Sequence, residues 1–252
     1  MSFVRSLLIS TPLIALATIL TGLLSLLGSL FGVSSDALHK LARVWGRLLL
    51  RAAFVRVRGE GVEKLDPKAT YVFVSNHGSY MDIPALLAAL PHQFRFFAKK
   101  GLFKIPLLGS HLKRAGHLPV DRTNARNSLK SMTEGARIVR ERGTSVVLFP
   151  EGGRSLEGLR VFKEGAAYIA IKAGVPVVPM AIVGMREVLP MGSIHLRSGK
   201  VTVRVGQPIA TEGLTIKDRD ELSERLRRDV AELMGIEITP EAPARPTFSG
   251  SQ

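Results

Sequence analysis

No cysteine occurs among the 252 residues. That absence excludes a disulfide framework, a thiolate nucleophile and any metal site built on sulfur. Acidic residues are scarce against basic ones: 21 Asp and Glu stand against 35 Lys and Arg, a formal net charge of +14 and a sequence pI near 10.6. Two catalytic signatures are also missing. The segment Gly153-Arg154-Ser155-Leu156-Glu157 lacks the last glycine of the Gly-x-Ser-x-Gly elbow, which argues against a serine hydrolase. His77, His92, His111, His117 and His195 fall at no zinc-binding spacing, so no metal is expected.

The excess of positive charge calls for an acidic partner, either nucleic acid or an anionic lipid or carrier. Nucleic acid fits poorly, because the chain has no zinc-finger spacing, no basic-zipper repeat and no aromatic RNA-binding signature. A membrane fits better. Ser6 to Ser35 is uncharged and rich in Leu, Ile and Ala. As one helix it reaches roughly 45 Å, against a hydrocarbon core of about 30 Å. Ala15-Leu16-Ala17 resembles a signal-peptide cleavage site, but the apolar run continues to Phe31, well past a signal core of about 7–15 residues. A spanning helix and a re-entrant helix broken at Pro12, Gly22, Gly28 and Gly32 both remain open.

Asp36 reads as the N-cap of a second helix running to about Phe54. Lys40, Arg43, Arg47 and Arg51 share one face of it. They are expected to rest on anionic headgroups, with Trp45 at the interface. The positive-inside rule puts this side in the cytoplasm, at an inner membrane.

From Val55 the chain alternates β-rich runs with helical stretches. Strands are expected at 55–58, 71–75, 94–98, 145–149, 177–183 and 201–205. Helices are expected at 80–90, 105–114, 124–142, 163–173 and 217–235. That alternation predicts an α/β fold with a central mixed sheet flanked by helices. The expected division is residues 1–54 as membrane-anchoring helices, 55–238 as the catalytic domain and 239–252 as a disordered Pro- and Ser-rich tail.

Four segments stand out. Asn76-His77-Gly78-Ser79-Tyr80-Met81-Asp82 lies in a strand-to-helix loop, where His77 and Asp82 can form a base and its orienting carboxylate. The same Asp82 has capping-box spacing to Ser79, so a purely structural role is open as well. Phe149-Pro150-Glu151-Gly152-Gly153-Arg154-Ser155 offers a carboxylate, a guanidinium and two glycines that let backbone approach a ligand, although taken singly it reads as a glycine turn with surface charges. The basic stretch from Lys99 and Lys100 to Gly116–Arg122 and the block Val175-Pro176-Val177-Val178-Pro179 read, taken singly, as loop and core.

In that order and at that spacing, the four segments resemble the motifs of the glycerolipid acyltransferase family, which includes 1-acylglycerol-3-phosphate acyltransferases. Gly153 stands where the family's third motif usually has Thr. The resemblance covers about residues 55–206, and the N-terminal helices are similar to the tethering segment of bacterial members.

The resemblance implies transfer of a fatty acyl chain from acyl-CoA or acyl-carrier protein to the sn-2 hydroxyl of lysophosphatidic acid. No other cofactor is implied. His77 is then the general base and Asp82 its orienting partner. Asn76, Lys100, Arg122, Glu151, Gly152, Gly153 and Arg154 are the substrate-binding set, the basic residues for the phosphate and Glu151 for the glycerol portion. Backbone N–H groups at the start of the Tyr80 helix are the expected oxyanion donors. Other readings are glycerol-3-phosphate, another lysophospholipid or a lyso-ornithine-type lipid as acceptor, or a non-catalytic lipid-binding protein. Lipid binding alone requires no base–carboxylate pair.

Overall fold

The structure is a computed structural model that describes residues 2–106, 108–121, 123–154 and 158–238. The expected disordered tail, 239–252, lies outside the described residues.

Seven strands form the sheet: β1 Val55–Glu60, β2 Val72–Ser75, β3 Phe94–Lys99, β4 Leu118–Val120, β5 Ser145–Leu148, β6 Val177–Val183 and β7 Gly199–Val205. They lie in the order β1-β7-β6-β2-β5-β3-β4. All pair in parallel except β6 with β7, so the sheet is mixed as the alternation predicted. Its central strands are buried on both faces, which explains why they read as unbroken apolar runs. Phe73, Val147 and Val178 point to one face, where the helices Ser35–Ala52 and Asp82–Ala89 pack. Val72, Val74, Val146 and Leu148 point to the other, against the helices Ala125–Arg142, Gly165–Ala173 and Arg219–Met234.

Helix ends follow local chemistry. Asn124 caps the 125–142 helix by accepting the Asn127 N–H at 2.8 Å. Gly143 and Gly174 close helices in the left-handed conformation that favours glycine. Two expectations need correction. The cap of the 35–52 helix is Ser34, which is extended and accepts the Ala37 N–H at 3.3 Å. Asp36 sits in the first turn instead and binds the Arg95 guanidinium at 2.7 Å. The helix expected from Ile105 starts at Leu108, after a 3-10 turn at Lys100–Lys104.

The N-terminal helix runs Ser2–Leu30 and is long and apolar enough to cross a membrane. It widens into a π turn at Ser6–Ser10, just before Pro12, whose ring lacks the N–H of a regular turn. One face is bare: Leu8, Leu16, Leu23, Leu24, Leu27 and Leu30 are all exposed. The other face is tied to the rest of the protein along its length. Ser6 Oγ accepts the Leu196 N–H at 2.8 Å, the Arg5 guanidinium lies 4.9 Å over the Phe54 ring, and Ser25 Oγ is 3.4 Å from His111 Nδ1. Trp45, expected among headgroups, donates its indole N–H to Thr18 Oγ1 at 3.1 Å and so joins the first helix to the second. On the second helix Gly46 permits close contact with the 82–89 helix. A Cβ there would lie 3.0 Å from the Pro84 carbonyl oxygen.

Candidate active site

Adjacent parallel strands β2 and β5 bring their carboxyl ends side by side. The loops after them carry two of the sequence segments, as expected for a site in the crevice at strand ends of an α/β sheet. The first loop runs from Asn76 to Met81 and is buried except at Tyr80. The second begins at Phe149.

His77 and Asp82 meet as the sequence spacing allows. His77 Nδ1 is 2.8 Å from Asp82 Oδ2, with both side chains buried. The same carboxylate oxygen accepts the backbone N–H groups of Gly78 and Ser79, each at 2.8 Å. Asp82 therefore fills both roles read from the sequence: it holds the imidazole, and its bond to the Ser79 N–H is one half of a capping box. The His77 ring stacks on Phe149, with centroids 4.0 Å apart and planes 16° apart. Aspartate on one edge and phenyl on one face leave few orientations for the ring.

Those hydrogen bonds bear on the expected oxyanion donors. The N–H groups of Gly78 and Ser79 serve Asp82, and that of Met81 donates to Ser79 Oγ at 3.2 Å. Of the N–H groups at the start of the Tyr80 helix, that of Met81 is thus engaged within the loop.

Glu151 joins the two loops. One oxygen accepts the His77 N–H at 2.7 Å and the other accepts the Arg160 N–H at 3.1 Å. Burial pushes its carboxyl above the usual range, opposed by those two bonds and by the Arg186 charge. Asn76 joins the first loop to β6: its amide donates to the Ile182 carbonyl at 3.0 Å and accepts the Ile182 N–H at 2.8 Å. In this structure both side chains are engaged with backbone.

Gly152 has φ of +76°, a conformation that favours glycine, and the far end of the Lys163 side chain lies where a Cβ would be, 2.9 Å away at Cε. Gly153 is unconstrained, with nothing within 4 Å of a built Cβ. The Arg154 guanidinium lies 3.8 Å over the Tyr80 ring, a cation–π contact that places it at the mouth of the first loop. Lys100 is drawn away: it pairs with Asp121 at 2.9 Å and lines a separate basic cleft with Lys104, Lys113 and Arg142. Arg122 lies outside the described residues.

Two cations escaped the sequence reading. Lys163 faces Gly152, and Arg186 packs so close to Gly78 that a Cβ there would lie 2.6 Å from its Nε. Lys163 lies eight residues past the third segment in chain order and Arg186 seven past the fourth, and nothing in their spacing hinted that they approach Gly152 and Gly78.

His77, Phe149, Gly153 and Arg154 open onto a cavity of about 950 Å³. Its walls extend past Phe96 and Leu87 to Leu38, Trp45 and Gly22 on the N-terminal helices. The His77 imidazole thus shares a mainly apolar space with residues of the exposed, apolar N-terminal helix.

Comparison with known proteins agrees with this geometry. Residues 56–183 match the family model described as Acyltransferase. The chain is 35% identical over 201 residues to a chloroplastic 1-acyl-sn-glycerol-3-phosphate acyltransferase of Brassica napus, covering 79% of this chain and 56% of that protein. It is 32% identical over 177 residues to 1-acyl-sn-glycerol-3-phosphate acyltransferase alpha of Homo sapiens, covering 70% and 62% respectively. The chain thus spans little more than half the length of these curated relatives. The crystal structure of the 1-acyl-sn-glycerophosphate (LPA) acyltransferase PlsC from Thermotoga maritima superposes with a TM-score of 0.75 at 26% identity, over 95% of this chain and all of that one.

Proposed function

The chain belongs to the Acyltransferase family, and from that premise we propose that it moves a fatty acyl group from a thioester onto the sn-2 hydroxyl of lysophosphatidic acid, yielding phosphatidic acid. One observation carries the reading: a buried His77–Asp82 pair whose imidazole lines a mainly apolar cavity of about 950 Å³.

The chemistry follows from that pair. Asp82 accepts a hydrogen bond from Nδ1–H of His77, so in the neutral ring the lone pair is on Nε2. Nε2 takes the proton of the acceptor hydroxyl as its oxygen attacks the thioester carbonyl. The tetrahedral intermediate collapses, the C–S bond breaks, and the leaving thiolate recovers the proton from the imidazolium. Asp82 stabilises that imidazolium. A base positioned in this way contributes roughly 10²–10⁴-fold. A thioester is already activated, so no covalent enzyme intermediate is required.

Arg154 of the third motif and Arg122 of the second supply the phosphate contacts, and Lys163 adds positive charge near Gly152. Asn76 and Glu151 act chiefly by holding the His77 loop to β6 and to the second loop, and a free lone pair on Glu151 can still accept from the glycerol.

The N-terminal helix lies in one leaflet with its bare leucine face in the hydrocarbon. Its attachments at Ser6, Thr18 and Ser25 keep it along the catalytic domain, where it walls the acyl cavity. Lys40, Arg47 and Arg51 rest on anionic headgroups at the cytoplasmic face.

The test is acyl transfer by the purified full chain in detergent, with lysophosphatidic acid and either acyl-CoA or acyl-carrier protein. Phosphatidic acid should form, and His77→Ala should lower its rate by about 10²-fold or more. Transfer that survives the substitution removes His77 as base. No transfer with either donor removes the reaction.

A further inference from the structure

Among the described residues of the catalytic domain, the most exposed large apolar side chain is that of Ile194, at 77%. Its loop is not loose. The Pro190 carbonyl accepts the Ser193 N–H at 3.1 Å across Gly192, whose φ of +77° is what a type II turn requires. The Val188 carbonyl accepts the Arg197 N–H at 2.8 Å, and Ser193 Oγ accepts the His195 N–H at 3.0 Å. A well-bonded backbone thus holds an isoleucine out of the fold.

Ile194 does not stand alone. Strands β1 and β7 are parallel with Val55 opposite Gly199, so Phe54 and the 190–198 loop enter the sheet side by side. The first helix closes on the same place. The Phe3 ring is edge-on to His195, with centroids 5.4 Å apart. The Arg5 guanidinium donates to the Leu196 carbonyl at 3.4 Å and also covers the Phe54 ring. Phe3, Val4 and Phe54 are all exposed here. Single exposed apolar residues are ordinary on a surface, but apolar side chains gathered from three distant segments mark an interaction site.

Phe54 is unusual in its backbone as well. Its φ is +58°, the only positive value outside glycine among the described residues. It follows the cap residue Ala53, at the position where helices commonly end on glycine. A bulky side chain in that conformation is strained, and such strain concentrates where a residue has a task beyond folding. The ring is half exposed, so burial within the fold does not explain its presence. The surrounding charge has one sign. Residues 2–8, 51–58 and 190–200 contain no Asp or Glu, whereas Arg51, Arg56, Arg197 and Lys200 flank the apolar side chains in sequence. Apolar residues rimmed by cations suit the interface of an anionic bilayer.

We infer that Phe54 and Ile194 form a second seat of the protein in the membrane. They enter the leaflet beside the N-terminal end of the first helix, with the flanking cations on anionic headgroups. The occupant is lipid because the patch continues, through Phe3 and Val4, into the bare leucine face of that helix. This rests on the reading of the first helix as lying in one leaflet. The cavity is walled by the helix at Thr18, Gly22 and Ser25, so the seat grips the opposite end. A lone helix leaves the domain free to roll about the helix axis. A second contact beside it fixes which side of the catalytic domain faces the lipid.

The chain has no cysteine, so single labels can be placed without other changes. Ile194→Cys and Phe54→Cys are labelled with an environment-sensitive fluorophore. Leu23→Cys marks the bare face of the first helix. Arg228→Cys marks an exposed site on the helix Arg219–Met234, which packs on the other face of the sheet. The full chain is held in nanodiscs of phosphatidylcholine and phosphatidylglycerol, whose two faces are both open to solvent. Labels at 194 and 54 should emit to the blue of the label at 228. They should be quenched by lipids carrying a nitroxide on the acyl chain and shielded from iodide in the buffer. A diazirine-bearing phospholipid should also cross-link the unsubstituted protein within 190–197 and 51–56, which excludes an effect of the fluorophore itself.

Iodide quenching at 194 or 54 equal to that at 228 overturns the inference. Shielding from both quenchers, as between two copies of the chain, overturns it too. The label at 23 is read separately. If it alone is open to iodide, the first helix is not in the leaflet and the seat stands without it. If it is in lipid while 194 and 54 are not, the helix reading stands and the second seat falls.

Discussion

A single oxygen of Asp82 holds His77 Nδ1, the Gly78 N–H and the Ser79 N–H, each at 2.8 Å. Orientation of the base and shape of the loop that carries it are therefore one interaction. Asp82→Asn places an N–H or a neutral oxygen where three donors converge. It should lower kcat by about 10²-fold or more, and His77→Ala should do so by roughly 10²–10⁴-fold. Because the two act as a unit, the double variant should lose little more than the worse single variant. Initial rates of the three variants decide the matter, and losses that multiply would mean the residues act independently.

Glu151 provides a pH test. Its carboxyl is raised above the ordinary value, chiefly by burial. The folded protein therefore holds this proton at pH values where the unfolded chain has released it. The contribution of Glu151 to stability is fully present below the unfolded pKa, about 4.3, and is lost as pH rises through the raised folded value. Glu151→Gln cannot titrate and lacks this decline. The difference in melting temperature, variant minus wild type, should accordingly rise as pH is taken upward from about 4. A flat difference across the acid range refutes the assignment. Activity should fall at every pH, since the amide cannot accept from both His77 and Arg160.

Much of this was legible in the sequence, for identifiable reasons. Strands such as Val177–Val183 are buried on both faces, and their apolar runs announce them. The base and its carboxylate are five residues apart in one turn, so their meeting is a local matter. β4 was missed because three residues centred on Pro119 carry no strand signal, although an edge strand tolerates proline. The partners of Asn76 and Glu151 were out of reach for another reason: Ile182 and the His77 N–H are 106 and 74 residues away. The position of Arg186 against Gly78 is likewise a product of tertiary packing.

The two glycines after Glu151 should behave oppositely. Gly152 needs its positive φ, so Gly152→Ala should cost about 1–3 kcal/mol, and displacing the Lys163 ammonium from beside it should reduce turnover. A Cβ at Gly153 meets nothing within 4 Å. Gly153→Thr, the residue usual in the family motif, should be tolerated and can gain about 0.4–1 kcal/mol by restricting the unfolded chain. Denaturant unfolding of both variants measures the contrast. A strongly destabilised Gly153→Thr would show that the second loop has a tighter shape than the built Cβ implies.

The orientation of the first helix can be read from labelling, and the lack of cysteine makes the native protein a blank background. The single substitutions Ser2→Cys and Ser34→Cys bracket the helix Ser2–Leu30. If the helix lies in one leaflet, held at Ser6 to Leu196 and at Ser25 to His111, both positions stay on the side of the catalytic domain. An impermeant thiol reagent should then modify both introduced thiols from that side of sealed vesicles and neither from the other. A helix that crosses would place the two thiols on opposite sides, and this requires breaking the Ser6, Arg5 and Phe3 contacts to the 195–196 segment. Ser6→Leu, which removes the hydroxyl that accepts the Leu196 N–H, should loosen that end. If the contacts set the orientation, adding Ser6→Leu should make the thiol of the Ser2→Cys protein partly reactive from the far side, while that of the Ser34→Cys protein does not change.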